Sequence, residues 1–170
     1  MKNLILSAVL GFALIFSTTN CFSQQLKIGH INSAKLLEVM PAVKIADSQL
    51  DKYARQLDDQ NTSLLNEYQF KVDDFQKNSG TWEDFIKEDK LKEIGDLEAR
   101  IQNFQTSAQE KLLTKKEELY NPILQTAENA IKAVAKEQGY NYVFDTSSGI
   151  VLYFEATHDI MNLVKTKLGL

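Results

Sequence analysis

A long stretch without proline or glycine constrains this sequence more than any other feature. From Ala42 to Lys77 neither residue occurs, and apolar side chains recur there mostly at intervals of three or four residues. This spacing predicts one stripe on a long α-helix, and the early alternation of three and four is typical of a coiled-coil seam. Gln60 stands where another apolar residue is expected, so the seam is interrupted near its middle. The stripe consists of Val43, Ala46, Leu50, Tyr53, Leu57, Leu64, Tyr68, Val72 and Phe75.

A second long helix follows after a short turn at Asn78-Ser79-Gly80. It is predicted from Trp82 to about Tyr120, with a single internal glycine, Gly95. Its apolar stripe consists of Leu91, Ile94, Leu97, Ile101, Phe104, Ala108, Leu112 and Leu119. Each helix is roughly 55 Å long at about 1.5 Å per residue. Two helices of matched length around a tight turn predict an antiparallel hairpin over residues 42–121.

Three short strands are predicted near the two ends of the chain. The first covers Leu26 to Asn32, and the other two, Tyr140 to Asp145 and Ile150 to Phe154, flank a turn at Thr146–Gly149. Because these strands lie on both sides of the hairpin in sequence, the hairpin is a large insertion in a small body. The predicted fold is α+β, with a small β-containing body and a long α-helical coiled-coil hairpin protruding from it.

Shorter helices complete this body, which comprises residues 24–41 and 122–170. One is predicted from Ala34 to Val39 and ends at Met40-Pro41, because proline lacks an N–H and restricts the residue before it. Asn121-Pro122 is expected to interrupt the second long helix by a kink or a restart. A further helix then runs to Gly139, and a last one begins near Thr157.

Residues 1–23 have the three-part pattern of a secretory signal peptide. Lys2 precedes an apolar run from Leu4 to Phe16, which is shorter than the roughly 20 residues of a membrane span. Cleavage after Ser23 is predicted, and it places the mature protein beyond the inner membrane, most simply in a periplasm without ATP. Two alternatives remain: a lipoprotein modified at Cys21, and a buried N-terminal helix.

Neither the hairpin nor the body buries enough apolar surface by itself. A two-helix hairpin covers one narrow stripe, and a small body with three short strands leaves sheet edges exposed. We therefore predict an obligate oligomer whose bodies join and whose hairpins project. The alternative is a monomer with the hairpin folded back on the body. The residues expected in the joined bodies are Ile28, Ile31, Val143, Phe144, Val151, Leu152 and Phe154.

Bulky apolar residues are dense on both sides of the hairpin turn. They exceed what one narrow seam needs, so we expect some to hold the helices together and others to contact an apolar partner. The candidates for partner contact are Tyr68, Phe70, Val72, Phe75, Trp82, Phe85 and Ile86.

No pattern of catalytic or metal-binding residues is recognisable. Phosphate-binding glycine loops, the zinc-protease motif and the nucleophile-elbow motif are absent from the sequence. Cys21 is the single cysteine and leaves with the signal peptide, and His30 and His158 have no catalytic pattern around them, so both are expected to be structural. We therefore predict no enzyme, no metal and no cofactor.

Negative charge is concentrated in the predicted hairpin. Residues 42–121 hold 12 Lys and Arg against 17 Asp and Glu, whereas the rest of the mature chain holds 6 of each class. Solvated helix faces with ion pairs four residues apart explain most of these charges. A net negative chain gives no reason to expect nucleic-acid binding.

Taken together, these segments resemble the Skp/OmpH family of periplasmic chaperones for outer-membrane proteins. The resemblance is carried by the opening strand Lys27–Asn32, the break at Met40-Pro41, the segment Ala130–Asp145, and the closing elements at Ile150–Tyr153 and Asp159-Ile160. It spans essentially the whole mature chain and depends on order, spacing and length rather than on one motif.

The resemblance implies a homotrimer in which strands of three subunits form a body and three hairpins enclose a cavity. Unfolded outer-membrane proteins, the clients, are held in that cavity without ATP. A structural or adaptor protein of the cell envelope, docking through its hairpin tip, is the alternative. Familiar family members are basic, whereas this hairpin is acidic, so the resemblance implies no lipid or lipopolysaccharide site here.

Overall fold

The computed structural model describes residues 26–170. The predicted signal peptide and Cys21 lie outside these described residues. The elements in chain order are β1 (Ile28–Ile31), α1 (Ser33–Val39), α2 (Pro41–Asn78), a 3-10 turn (Ser79–Thr81), α3 (Asp84–Glu137), β2 (Tyr142–Asp145), a second 3-10 turn (Ala156–His158) and α4 (Met161–Leu168). The chain is therefore mostly helical with a small sheet, which confirms the predicted α+β class.

The two long helices, α2 and α3, form the predicted antiparallel hairpin. Pro41 begins α2, where its missing N–H removes no helical hydrogen bond and its fixed φ suits the first turn. The helix ends at Asn78, and the 3-10 turn through Gly80 reverses the chain. Leu57 on α2 and both Leu97 and Ile101 on α3 are buried along the seam between the helices.

Helix α3 does not restart at Pro122, so of the two predicted forms of interruption, a kink or a restart, the restart is wrong. The helix runs through Pro122 from Asp84 to Glu137 and is about 80 Å long. Beyond the proline, Ile123 and Ala127 are buried against the body. Residues before Pro122 (Leu119 and Tyr120) also pack against this core. These tertiary contacts keep one continuous helix although proline is a local helix breaker.

Strands β1 and β2 pair in parallel, with Ile28 opposite Tyr142 and Ile31 opposite Asp145. Parallel neighbours need a long crossover between them, and here the crossover contains the whole hairpin. The other edge of β1 faces the last segment of the chain, where the Ile160 N–H donates to the His30 carbonyl at 3.0 Å. Strand β1 is therefore central, and the outer edge of β2 has no strand partner within residues 26–170.

The core lies where α1, the body end of α3, α4 and β1 meet. Its four most deeply buried side chains are Ile31, Leu36, Ile160 and Val164. Gly29 is required at this place, because a Cβ there would lie 2.9 Å from Cε1 of Tyr140 and 3.2 Å from Cγ2 of Ile160. From α3, the core receives Ile123, Ala127, Ala130 and Val134, whose spacings of four, three and four place them on one helix face.

The third predicted strand, Ile150 to Phe154, is not a strand in this structure. The segment has no strand partner within residues 26–170 and is followed by the 3-10 turn, so α4 begins only at Met161. Leu152 in the middle of the segment is 94% exposed. An apolar extended segment needs a neighbouring strand for its backbone groups. Both edges of β1 are already occupied within the same chain, and the end of the segment contacts His30 instead of pairing with the outer edge of β2, which is free among the described residues.

The buried position of Leu36 gives a direct test of this core. We expect Leu36→Ala to lower the free energy of unfolding by about 2–5 kcal/mol, since it leaves a cavity in a fully buried site. Leu113→Ala, the same change at an exposed position of α3, is expected to stay within about 0.5 kcal/mol of the parent. Urea unfolding followed by circular dichroism at one protein concentration measures both, and equal losses would contradict this core.

Candidate functional site

The seven apolar residues around the hairpin turn fall into two groups in the structure. Five of them, Tyr68, Val72, Phe75, Trp82 and Ile86, are half-buried. Phe75 and Trp82 pack edge to face across the turn, with their ring centroids 5.9 Å apart. This geometry is typical of stabilising aromatic pairs, so these two rings hold the tip together.

Phe70 and Phe85 form the other group. Their side chains are 72% and 67% exposed, far more than is usual for phenylalanine. Phe70 lies two residues beyond Tyr68, which is about 200° around the helix at about 100° per residue, so it points away from the seam. The sequence placed Phe70 off the apolar stripe of the first helix but did not distinguish Phe85 from its neighbours at the turn. The contact of all seven residues with a client stays a prediction.

Ion pairs join and flank the two helices below the tip. Lys71 Nζ on α2 lies 2.9 Å from Glu93 Oε2 on α3, and Lys90 shares the same carboxylate at 3.4 Å. The hydrogen bond between Lys71 and Glu93 raises the pKa of the Lys71 ammonium and lowers the pKa of the Glu93 carboxyl. Near the start of α3, the bond from Lys87 likewise lowers the pKa of Asp84.

The interruption of the seam at Gln60 coincides with two open grooves between the helices. One of about 570 Å³ is lined in part by Gln60, Arg100 and Phe104, and another of about 380 Å³ lies on Ala54, Phe104 and Ala108. Both are open to solvent. A polar residue in the stripe thus reduces the contact between the helices at mid-length.

At the body end of the hairpin, the Tyr120 hydroxyl donates a hydrogen bond to the Asp47 carboxylate. This bond joins α3 to α2 just before Pro122. Hydrogen bonding to the carboxylate stabilises the protonated phenol and therefore raises the pKa of Tyr120. The two helices are consequently fixed to each other where they leave the body.

The body carries a second exposed apolar surface. The rings of Tyr142 and Phe144 on β2 stack with centroids 6.4 Å apart, and both are largely exposed. We call the exposed apolar residues of β1, β2 and the following segment the body strip. It comprises Ile28, Tyr142, Phe144, Ile150, Leu152, Tyr153 and Phe154. Among the residues predicted for joined bodies, Val143 and Val151 are half-buried and Ile31 lies in the core of its own chain.

His30 fixes the segment before α4 to the sheet. Its ring is buried and lies 4.3 Å from the Phe154 ring, and its Nε2 is 2.9 Å from the carbonyl oxygen of Glu155. The sequence indicated a structural histidine but not this contact, because nothing in the spacing of residues 30 and 155 indicates that they meet.

Asp145 ties the end of β2 to the start of α1. Its carboxylate accepts hydrogen bonds from the Ser33 backbone N–H at 3.1 Å, from the Ser33 hydroxyl, and from the Ser147 N–H at 2.9 Å. Partial burial raises the pKa of Asp145, but these hydrogen bonds outweigh it and the net pKa lies below the ordinary value. The turn after β2 is therefore held by an ionised carboxylate.

The described part of the chain shows no grouping of three or more His, Cys, Asp and Glu side chains suited to a metal ion. Within the same residues, no helix combines the length and the apolar character that crossing a membrane requires. The distal phenylalanines, Phe70 and Phe85, and the body strip are two exposed apolar surfaces of these residues. Other exposed apolar side chains of the hairpin include Ile45, Leu91 and Leu113.

Comparison with known proteins adds the family to this geometry. Residues 27–168 match the family described as outer membrane protein (OmpH-like). The chain belongs to the OmpH-like family. The match includes the hairpin, both strands and α4, so it covers every element described above.

Individual relatives of this OmpH-like chain are distant but cover its whole length. The chaperone protein Skp of Vibrio cholerae is 24% identical over 96% of this chain and 97% of its own. The chaperone protein Skp of Pectobacterium atrosepticum is 27% identical over 97% of this chain and 100% of its own. The crystal structure of a protein described as an OmpH-like outer-membrane chaperone from Caulobacter crescentus is similar with a TM-score of 0.74, at 14% identity over 84% of this chain and 83% of that one. This structural likeness supports the fold.

The two groups of tip residues predict different responses to mutation. Phe75→Ala removes an inter-helix aromatic pair and is expected to cost about 1–3 kcal/mol of unfolding free energy. Phe85→Ala removes an exposed ring and is expected to stay within about 0.5 kcal/mol of the parent. Urea unfolding monitored by circular dichroism checks the pair, and the reverse order would contradict the assignment of Phe75 to the hairpin core.

Proposed function

We propose that this OmpH-like protein is an ATP-independent periplasmic holdase that keeps unfolded outer-membrane proteins soluble in a cavity between helical hairpins. The observation that carries the proposal is the separation of two exposed apolar surfaces: the body strip at one end and Phe70 with Phe85 at the other. One surface serves assembly and the other serves clients. Membership of the family, and relatives named as chaperones, support this division.

The assembly that we propose is a homotrimer joined through the body. Residues 24–41 and 122–170 form this body, and residues 42–121 form the hairpin. The outer edge of β2 lacks a strand partner within residues 26–170, and the nearby segment from Ile150 to Phe154 is extended and apolar. A strand from a second copy satisfies such an edge, and a closed ring leaves none exposed.

Holding a client in this arrangement relies on many weak contacts. Phe70 and Phe85 are exposed side chains on helices rather than walls of a deep pocket. Repeated over several hairpins, such contacts add through high effective concentration. Each single contact breaks quickly, so the client stays mobile and passes to a tighter acceptor without an energy source. No catalytic step is part of this mechanism, and we propose that the protein is not an enzyme.

The location that we propose for the mature protein is the periplasm. Residues 1–23 direct export and are removed, after which the chain carries no cysteine. A lipid attached to Cys21 is the less favoured outcome, because Thr18-Thr19-Asn20 is unlike the small or apolar residues that usually precede a lipidated cysteine. The mass of the exported protein distinguishes removal of residues 1–23 from attachment of a lipid to Cys21.

A structural or adaptor role in the envelope is the second candidate. The position of Phe85 beside the hairpin turn favours it, since an exposed ring at the tip suits one docking partner. Trp82→Ala with Phe85→Ala separates the two roles. Loss of one partner supports an adaptor, whereas a small, graded loss across many clients supports a chaperone.

The holdase activity is tested with the mature chain and an unfolded outer-membrane barrel protein diluted from urea. Light scattering without ATP is expected to show suppressed aggregation once the chaperone oligomer is in molar excess. Aggregation is suppressed because contacts with the hairpins compete with the association of client molecules with one another. Aggregation unchanged at several-fold excess of a correctly assembled oligomer would overturn the proposal.

The body strip gives a separate prediction about assembly. Leu152→Asp is expected to lower the oligomeric mass measured by light scattering, since it places an unpaired carboxylate in a desolvated interface. Leu113→Asp, the same change at an exposed site of α3, is expected to keep the parent mass. A Leu152→Asp protein that retains a trimer mass at all accessible concentrations would contradict assembly through this strip.

A further inference from the structure

Both exposed phenylalanines of the hairpin are followed on their own helix face by two adjacent acids. Asp73 and Asp74 lie three and four residues after Phe70, and Glu88 and Asp89 lie three and four residues after Phe85. Residues at these spacings are surface neighbours on an α-helix. The hairpin therefore carries two distal patches, each defined by one exposed ring and two carboxylates: Phe70, Asp73 and Asp74, and Phe85, Glu88 and Asp89.

Three of the five lysines near these patches are engaged with acids outside the patches. Lys71 and Lys90 contact Glu93, and Lys87 contacts Asp84. Both Lys71 and Lys87 thereby lie in ion pairs at 2.9 Å. Their positive charge is directed mainly to carboxylates outside the two distal patches, although attraction to Asp74 also contributes to the raised pKa of Lys71. The other two lysines, Lys77 and Lys92, follow the patch acids by three and four residues.

The acids of the patches are, by contrast, available to a partner. Within residues 26–170, the ion pairs involve none of the four carboxylates. Asp73 accepts a hydrogen bond from the Gln69 amide and Asp74 from the Asn78 amide, each at 2.7 Å. Both donors are neutral. Lys71, Lys77 and Lys92 compensate the patch acids only in part, because residues 67–93 hold eight Asp and Glu against five Lys.

We propose that the distal patches select client segments in which an arginine or lysine lies close to an apolar side chain. This inference rests on the holdase function proposed above and names the class of segment that the hairpin binds. The exposed ring takes the apolar side chain or the face of the cation, and the neighbouring carboxylates take its charge. Acidic segments of equal apolar content are repelled from the same face.

The strength of each patch suits a holdase. Exposed ion pairs and exposed cation–π contacts are individually weak, and salt screens them over about 8–10 Å. Binding of cationic segments is therefore expected to weaken as the salt concentration rises. Binding of an uncharged apolar segment is not expected to weaken in this way as the salt concentration rises.

The probes are two synthetic unstructured peptides with the same apolar residues, one carrying Arg and Lys and the other carrying Asp and Glu. Fluorescence anisotropy measures their affinity for the full mature protein at low and at physiological salt. The test variant replaces the four patch acids (D73N, D74N, E88Q, D89N). The control variant removes the same charge from exposed acids nearer the body (D58N, D59N, E110Q, E117Q). A third variant, with Phe70→Ser and Phe85→Ser, removes the rings.

We expect the parent to bind the cationic peptide at least about tenfold more tightly than the acidic one at low salt, and high salt to reduce the ratio. The patch-acid variant should lose most of this preference, and the charge-matched control should keep it. The ring variant should weaken binding of both peptides. Circular dichroism and oligomeric mass check that each variant is folded. Asp73 and Asp74 are half-buried, and the other substituted side chains are exposed.

Two outcomes overturn the inference: equal affinity of the parent for the two peptides, and equal effects of the patch-acid and control variants. The aggregation assay of the preceding section is run on the same preparations. A parent that prevents aggregation but shows no charge preference refutes client selection and leaves the holdase function standing. A parent that fails to prevent aggregation refutes the holdase function itself.

Discussion

The parallel pairing of β1 with β2 holds both ends of the hairpin at one place. Parallel strands cannot be joined by a tight turn, so the chain must leave the sheet and return, and α2 with α3 forms most of that excursion. The pairing is short, and it is supported by buried residues such as Leu36 on α1 and Ile160 just before α4. The hairpin therefore projects from a small body whose core extends only to its base.

This architecture leaves two surfaces that the single chain does not cover. Exposed large apolar side chains in such numbers are unusual for a soluble monomer and mark sites of interaction. The body strip is extended and lies beside an unpaired strand edge, which suits a permanent contact with another copy of this chain. The distal phenylalanines lie singly on helices among carboxylates, which suits changing partners. The local backbone therefore suits two surfaces of similar apolar character to the different roles that we propose for them.

Sequence patterns predicted the hairpin well because its information is local. The apolar stripes and the turn before Gly80 identify both helices, and the polar Gln60 marks the place where grooves open beside Phe104. The continuity of α3 through Pro122 was not predictable in this way. It depends on Ile123 and Ala127 being buried against elements at the far ends of the chain.

The same limit applies to the strand expected at Ile150–Phe154. Its apolar pattern is real, but a strand is defined by its neighbour. Both sides of β1 are taken by β2 and by the segment before α4, and Phe154 packs on His30 while the segment leaves the outer edge of β2 unpaired within the described chain. Likewise, the density of apolar residues at the tip identified seven candidates without separating the Phe75–Trp82 pair from Phe85. Pattern alone reports that a residue is apolar, whereas exposure depends on what the other helix presents to it.

Charged side chains also matter for a surface that must both bind clients and release them. A holdase without ATP needs contacts strong enough in sum to compete with aggregation and weak enough singly to dissociate. Deep burial of a client side chain would favour retention, and the tip offers none, since Phe70 and Phe85 lie on open helix faces. Adding carboxylates beside each ring raises the encounter rate with cationic segments while leaving each contact short-lived. On this acidic hairpin, the mechanism that we propose therefore takes its selectivity among unfolded chains from electrostatics and its holding from apolar contact.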